Sequence, residues 1–515
     1  MKSKPMSASR SIIIVDSRHD NVAVACRDLA AGDMVAGIVL LEPIKKAQRF
    51  ALYELPRGSN VVQYGNSFGI SKGIKAGALI SSFNTKNIEI VLNSSFVPHP
   101  PKTVFDPKLV SRKFNGFRRS NGGIGTRNYY LVIPTSQCAS ATAVQIAAEA
   151  TRQFRSSKHA SGIDGFVAIP NTEGCGCASN FQIDRVLRVF RNFMMHPNVG
   201  GVLIVDLGCE QTNHKAVYGY LNKEKSRISA PVDWLTIQEE GGTGGTVKKA
   251  MKVMAGRLKE VARIRRTSCP IGAITVGTEC GASDSFSGIT ANPVIGNAVD
   301  RIIRGKGCGI LSEVPEMVGA ENVLMERMRN RRVVKDFIGM MQWYHDLAKI
   351  YHVDMSDNLV PENRVGGLIN PCIKSLGAIT KGGTSRIEHI LDYGERIKGR
   401  GLHLMQGPGN DLESVTGLVS SGANIICFST GKGTVTGSAI VPVIKVSSTT
   451  VLFERMKTDI DLDAGVLISR MDASVDGCGE ALLERIIDVC SGARTKSENN
   501  YQAQFQIWTA GKFSL

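Results

Sequence analysis

Four cysteines each close a short apolar run in this chain: Cys138 after Ile133-Pro-Thr-Ser-Gln, Cys175 after Val167-Ala-Ile and a Gly174 turn, Cys209 after Val202-Leu-Ile-Val-Asp-Leu-Gly, and Cys280 after Ile274-Thr-Val-Gly-Thr-Glu. Glu210 follows the third directly, and Asp284 lies four residues beyond the last. Thiolates and carboxylates together can hold a divalent metal, whose Lewis acidity polarises a substrate hydroxyl or carboxylate. Apolar runs that end in glycine and a polar turn read as buried strands of a parallel sheet. In open α/β sheets the ligands sit beyond the carboxyl ends of the strands. The spacing therefore predicts that Cys138, Cys175, Cys209 and Cys280, with Glu210 and Asp284 alongside, converge on one metal or substrate site. The competing reading is that small cysteines pack well at a sheet edge.

Other residues could join such a site. Glu239, Glu240, Glu313 and Glu316 add carboxylates near further strand ends. Gly241-Gly-Thr-Gly-Gly-Thr246 opens a helical stretch, so Gly242 and Thr243 could offer backbone amides to an anion, or simply cap the helix. The loop matches neither the phosphate-binding Gly-Lys-Ser/Thr pattern nor the dinucleotide fingerprint. In Thr430-Gly-Lys-Gly-Thr434, Lys432 could hold a carboxylate, with Lys445 on the next strand facing the same cleft. His214 is a possible base, or an exposed loop histidine. There is neither a Gly-x-Ser-x-Gly elbow nor a His-Glu-x-x-His helix.

The elements that must position these groups follow from composition and periodicity. With 515 residues, 43% of them apolar, and 54 glycines against 18 prolines, the chain suits an α/β enzyme with many tight turns. Residues 1–91 read as a small β-rich domain and 92–121 as a linker, stiff where prolines cluster. Residues 122–384 read as a central α/β domain and 385–515 as a C-terminal one, both with largely parallel sheets. Helical spacing marks Ala141–Phe154, Phe181–Met195, Val247–Arg265, Glu321–Ile350 and Gly479–Ser491. The Gly-rich stretch 376–384 breaks the pattern.

No apolar stretch approaches the roughly 20 residues of a membrane helix, and a cytoplasmic protein is expected. The 12 cysteines lack a Cys-x-x-Cys pair, which favours reduced thiols over a zinc ribbon or disulfides. The net charge of +16 comes with basic clusters at Lys108–Arg119, Arg257–Arg266 and Arg327–Lys335. Solvated helix faces and attraction of a small anionic substrate account for it, because no nucleic-acid recognition motif accompanies the charge.

Taken in order, Gly125-Thr-Arg-Asn128, Gln137-Cys138, Glu173-Gly-Cys-Gly176, Leu207-Gly-Cys-Glu210, Gln238–Gly242, Cys280-Gly-Ala-Ser-Asp284 and Ser287–Pro293 form one set. Ser312-Glu…Pro-Glu316, Gly366-Gly-Leu368, Lys381-Gly-Gly383, Thr430–Gly433 and Val441–Lys445 continue it. The set resembles the altronate/galactarate dehydratase family over nearly the whole chain, with the front end similar to that family's SAF domain. The resemblance implies a homo-oligomeric hydro-lyase using a divalent metal, Fe2+ or Mn2+, on a sugar acid. Such a 2,3-dihydroxy acid loses water across C2–C3 to give a 2-keto-3-deoxy acid. On this reading Cys138, Cys175, Cys209, Cys280 and Asp284 hold the metal. Lys432, Lys445 and Glu210 are catalytic, while Arg127, Gly242, Thr243, Ser283, Asn292 and Thr430 bind substrate.

The chain also departs from the family pattern. Ser17, Gln48 and Asn171 stand where the family carries histidines, and Ala282 replaces the second glycine of Cys-Gly-Gly-Ser-Asp. The resemblance leaves two alternatives: a non-catalytic or partner-subunit paralogue that binds an acidic metabolite, and a sulfo-lyase acting on sulfolactate.

Overall fold

The computed structural model describes residues 10–88, 92–157, 159–176, 181–355, 359, 361–365 and 367–511. Its N-terminal unit is antiparallel throughout. Val22–Ala25 pairs with Ile12–Ile13 and with Arg49–Ala51, and Asn66–Ser71 pairs with Asn60–Gln63 and Thr85–Lys86. The hairpin between Gln63 and Asn66 turns on Tyr64 and Gly65, at φ 60° and 67°. Positive φ at both central residues matches the right-handed twist of the flanking strands. For tyrosine this conformation is strained, and it fixes Tyr64 at the hairpin tip.

The second unit is a parallel four-stranded sheet, in the order Gly165–Ala168, Tyr129–Pro134, Val199–Asp206, Val232–Thr236. Its strands are apolar on both faces because both are covered. Tyr130, Val132, Leu203 and Val205 pack with residues of the helices Gln137–Phe154 and Thr243–Arg263, while Leu131, Ile133 and Ile204 join the core that includes helix Phe181–Met194. The second half of the stretch read as a linker is not bare chain. Lys113–Arg118 pairs antiparallel with Arg266–Pro270 and with Ile124–Gly125.

The third unit is a parallel seven-stranded sheet, in the order Ile387–Leu391, Gly401–Met405, Cys308–Leu311, Thr275–Gly281, Ile425–Thr430, Val443–Ser447, Leu462–Asp463. Strands from both sides of residue 384 share it, so the boundary read there falls inside one sheet. From Thr275–Gly281 the chain builds outward on one side and then returns to build on the other. Strand order therefore reverses beside Thr275–Gly281, the kind of position where a crevice opens in doubly wound sheets.

The Gly-rich stretch read as a break is the end of helix Pro371–Ala378 and the 3-10 turn Ile379–Gly382. The stretch Glu321–Ile350, read as one helix, is two: Glu321–Glu326 and Arg331–Ile350. Between them the backbone of Arg327 and Arg329 bonds Ile387, and the Asn330 side chain caps the second helix. Among the described residues no helix is long and apolar enough to cross a membrane.

Candidate active site

Cys280 ends the strand at which the sheet order reverses, and it sits in a buried cluster of acids and lysines. Its thiol donates to Glu316 at 2.8 Å and lies 3.5 Å from Glu313. Lys381 Nζ lies 3.0 Å from the same sulfur and 2.6 Å from Glu313 Oε2. Lys374 Nζ lies 3.0 Å from Glu316 Oε1. Lys381 and Glu313 are each 1% exposed. One atom from each of Cys280, Glu313 and Glu316 falls within 4.8 Å of the others.

Local structure explains how these groups meet. Glu313 opens the 3-10 turn Val314–Met317 at φ 68°, a left-handed conformation that aims its carboxylate back at the Cys280 backbone N–H, 3.2 Å away. Lys381 rides on the turn Ile379–Gly382, held against helix Ala291–Arg304 at Gly296. A Cβ there would stand 2.0 Å from the Thr380 carbonyl oxygen, so only glycine permits the approach. On the opposite face of the same strand, Glu279 accepts from Ser414 at 2.6 Å, and its other oxygen has no hydrogen-bond partner among the described residues.

The charges push these groups apart. Burial raises Glu313 to about 8, and the charge of Glu316 adds to the rise against the pull of Lys381. Burial would raise Glu316 as well, but Lys374, Lys381 and the Cys280 thiol outweigh it and hold Glu316 below the usual carboxylate range. Burial and then the charge of Glu313 raise Glu279 far above that range. Burial would lower Lys381, yet Cys280, Glu313 and Glu316 hold its ammonium firmly charged. Asp411, at the start of helix Asp411–Ser421, is pushed up to about 6 by burial and by Glu316.

A narrow crevice reaches Lys374 from outside, lined also by Tyr64, Ser283, Asp284, Asn292 and Gly377. Beside it, Arg49 of the N-terminal unit crosses into the third. Arg49 is 1% exposed, donates to Gln63 at 2.6 Å and to the Gly367 carbonyl at 2.6 Å, and reaches Ser285 at 3.3 Å. Its remaining nitrogen has no partner among the described residues. A buried guanidinium edge with donors to spare is suited to a carboxylate.

The structure distributes the residues singled out in the sequence unevenly. Cys280 lies in the buried cluster, and Ser283, Asp284 and Asn292 line the crevice. Asp284 accepts from Ser287 and Ser448, and Asn292 bonds Ser429 and the Gly377 carbonyl, so both shape the wall. Thr430 closes its own loop by accepting from the Gly433 N–H.

Cys138, Cys175 and Cys209 belong to the four-stranded sheet, so the four thiols divide into three and one. Gly242 and Thr243 open a helix on that same sheet. Glu210 is there too, and both its oxygens are occupied by Thr135, Ser136 and the N–H groups of Leu207 and Gly208, which makes it a loop anchor and not a free base. His214 begins a helix, stacks on Trp234 and lies tilted against Tyr218.

Arg127 is a second correction. All five of its N–H donors are taken, by both oxygens of Glu498 and by the carbonyls of Thr126, Val489 and Ala493, leaving none for a substrate. Lys445 lies on the face of the sheet opposite Cys280, bonded to Ser497 and Gln502. Lys432 is exposed on its loop. The sequence reading passed over Lys374, Lys381, Glu279 and Arg49 as functional groups. Lys381 stood in the Lys-Gly-Gly motif, but that motif was read as a break in the chain.

Three family models match the chain in order. The altronate/galactarate dehydratase SAF domain matches residues 11–88, the D-galactarate dehydratase/altronate hydrolase second domain 116–262, and the D-galactarate/altronate dehydratase C-terminal domain 271–513. The altronate dehydratase of Escherichia coli (strain K12) is 30% identical over 96% of this chain and 98% of its own length. The chain belongs to the altronate/galactarate dehydratase family. The galactarate dehydratase (L-threo-forming) of the same organism is 31% identical over 95% of this chain and 94% of its own. The (2R)-sulfolactate sulfo-lyase subunit beta of Chromohalobacter salexigens is 30% identical over 76% of this chain and 96% of its own.

Membership places the chain among lyases. Against the family pattern, Ala282 is notable because it sits at φ 52°, a conformation that glycine adopts without strain. Asn171 is a turn residue that donates to the Pro134 carbonyl and accepts from the Glu173 N–H. Gln48 accepts from the Lys45 N–H in a loop.

Proposed function

We propose that this chain dehydrates a sugar acid, an aldonate or aldarate such as altronate or galactarate, to a 2-keto-3-deoxy acid. One observation carries the reading: Glu313 and Glu316 share Cys280 and Lys381, yet their surroundings push them toward opposite protonation states. Paired carboxyls split in this way supply an acid and a base at one pH.

In the proposed reaction the substrate carboxylate lies along the crevice against Arg49 and Lys374. Ionised Glu316 takes the proton from C2, and the electron pair of that C–H bond passes to an enolate at the carboxylate. Lys374 and Lys381 offset the developing charge. The C3–O bond then breaks as Glu313 delivers its proton, and water leaves. The enol formed between C2 and C3 takes a proton at C3 and becomes the ketone. The balance is loss of one water.

The donor set also fits a divalent ion: one thiol and two carboxylates, one atom of each within 4.8 Å of the others. Cys280, Glu313 and Glu316 would hold it, and Fe2+ or Mn2+ suits this mixed set. When bound, such an ion supplies Lewis acidity toward substrate oxygens. Lys381 addresses the same three donors, so ion and ammonium compete for them. The proton transfers above are those of the site held by Lys381, because Glu313 bound to an ion has no proton to deliver.

The test is a 2-keto-acid assay on anaerobically purified protein with Fe2+ or Mn2+, using altronate, galactarate, related aldonates and sulfolactate. Keto-acid release from a sugar acid, lost in Glu313→Gln, is the expected result. Sulfite release from sulfolactate alone, or no turnover of any of these, overturns the proposal.

A further inference from the structure

The three thiols that do not join Cys280 remain to be explained. Cys138 is the second residue of helix Gln137–Phe154, Cys175 follows the Gly174 turn beyond strand Gly165–Ala168, and Cys209 lies beyond strand Val199–Asp206. Backbone bonds knot these three segments together. Gln137 N–H donates to the Glu173 carbonyl at 3.0 Å, and Gln211 N–H to the Gly174 carbonyl at 3.0 Å. The Thr212 hydroxyl donates to the Thr135 carbonyl at 2.5 Å. Glu210 ties Thr135 and Ser136, just before Cys138, to the turn that carries Cys209.

Side chains follow the backbone. Desolvation pushes the Cys138 thiol up, and so do Cys175, Cys209 and Glu210, which lie within its electrostatic reach. All three thiols are exposed, unlike Cys280. Ser136, the helix N-cap, makes no side-chain capping bond.

Three exposed thiols at the carboxyl ends of adjacent parallel strands are more than packing requires. We propose that Cys138, Cys175 and Cys209 hold a small iron–sulfur cluster, whose thiolates are spaced more widely than those on a single ion, with one iron position left to a non-protein ligand. Each thiol releases its proton as its sulfur–metal bond forms, and inorganic sulfide completes a cluster. This centre is separate from the Cys280 site and does not depend on the reaction proposed there.

The experiment uses the full chain, purified without oxygen under reducing conditions. One arm receives Fe2+ and sulfide, a second Co2+ and a third Zn2+. Metal and acid-labile sulfide are counted, and absorption and Mössbauer spectra are recorded. Thiolate-to-metal charge-transfer bands, lost in Cys138→Ser, Cys175→Ser and Cys209→Ser but kept in Cys280→Ser, are the expected result. Labile sulfide bound with the iron is the signature of the cluster, and the Co2+ and Zn2+ arms report single-ion binding. Thiolate-bound metal without labile sulfide, or none in any arm, overturns the proposal, as does a Cys138–Cys175 disulfide that forms in air while the reduced protein binds nothing. Loss of turnover with the bands intact counts against the proposed dehydration and leaves this centre standing.

Discussion

Lys381 Nζ lies 2.6 Å from Glu313 Oε2, and both side chains are 1% exposed. A buried ammonium so close to a carboxyl that is pushed up to about 8 makes the pair a proton store as well as an ion pair. The turn carrying Lys381 and the strained turn carrying Glu313 are 68 residues apart in sequence, and they meet only at the switch point of the sheet.

Lys381→Met is expected to abolish turnover and to leave buried carboxyls without their counter-charge, at about 3–5 kcal/mol of stability in metal-free protein. Because the ammonium competes for Cys280, Glu313 and Glu316, the same variant should bind Mn2+ more tightly than the parent. Calorimetric titration with Mn2+ and thermal melts with and without it check both effects. Unchanged affinity would refute the shared-donor arrangement.

The pH dependence follows from Glu313. As the acid that releases water, it must be protonated in the site held by Lys381, so kcat/KM, which reports the free enzyme, is expected to fall as pH rises through about 8. Glu313→Gln should remove that alkaline limb along with most of the rate. The linked stability has the same sign. Glu313 in the fold holds its proton above the ordinary value of 4.5, so its contribution is full below that value and is lost between about 4.5 and 8. Denaturant unfolding across this range, in parent and Glu313→Gln, measures it.

Two buried arginines should behave in opposite ways. Arg49→Lys keeps the charge but loses the fork, and is expected to raise KM about ten- to a hundredfold with a smaller effect on kcat. Arg127→Ala breaks the buried pair with Glu498 and should cost about 3–5 kcal/mol of stability while leaving KM unchanged. Steady-state kinetics beside chemical denaturation separates the two. A KM effect at Arg127 would return it to the substrate site.

Gly296→Ala tests how the Lys381 turn is held. The added methyl meets the Thr380 carbonyl, so the turn must move, at about 1–3 kcal/mol. Activity should fall further than this loss of stability explains, because Lys381 moves with the turn. A variant that is merely less stable, with kcat intact below its melting temperature, would contradict the positioning role.

Read alone, the sequence determined what local physics determines. The continuous apolar run Val202-Leu-Ile-Val marked a buried strand, found as Val199–Asp206, and 3.6-residue spacing over Phe181–Met195 marked a helix, found as Phe181–Met194. Ordered motifs pointed to the family, and Cys280 was singled out because it closes a strand. Tertiary structure alone decided which groups meet. The four thiols look equivalent in sequence, but they sort into two sheets, because strand order is set by long-range pairing that no local pattern encodes. Arg127 and Arg49 are both basic residues beside strands. Only the fold shows that Glu498 and three backbone carbonyls occupy every donor of one, while the other crosses between units with a donor to spare. Lys381 sat in a glycine-rich stretch that reads as a break. Its function comes from burial against Glu313, Glu316 and Cys280, and burial depends on the whole packed chain.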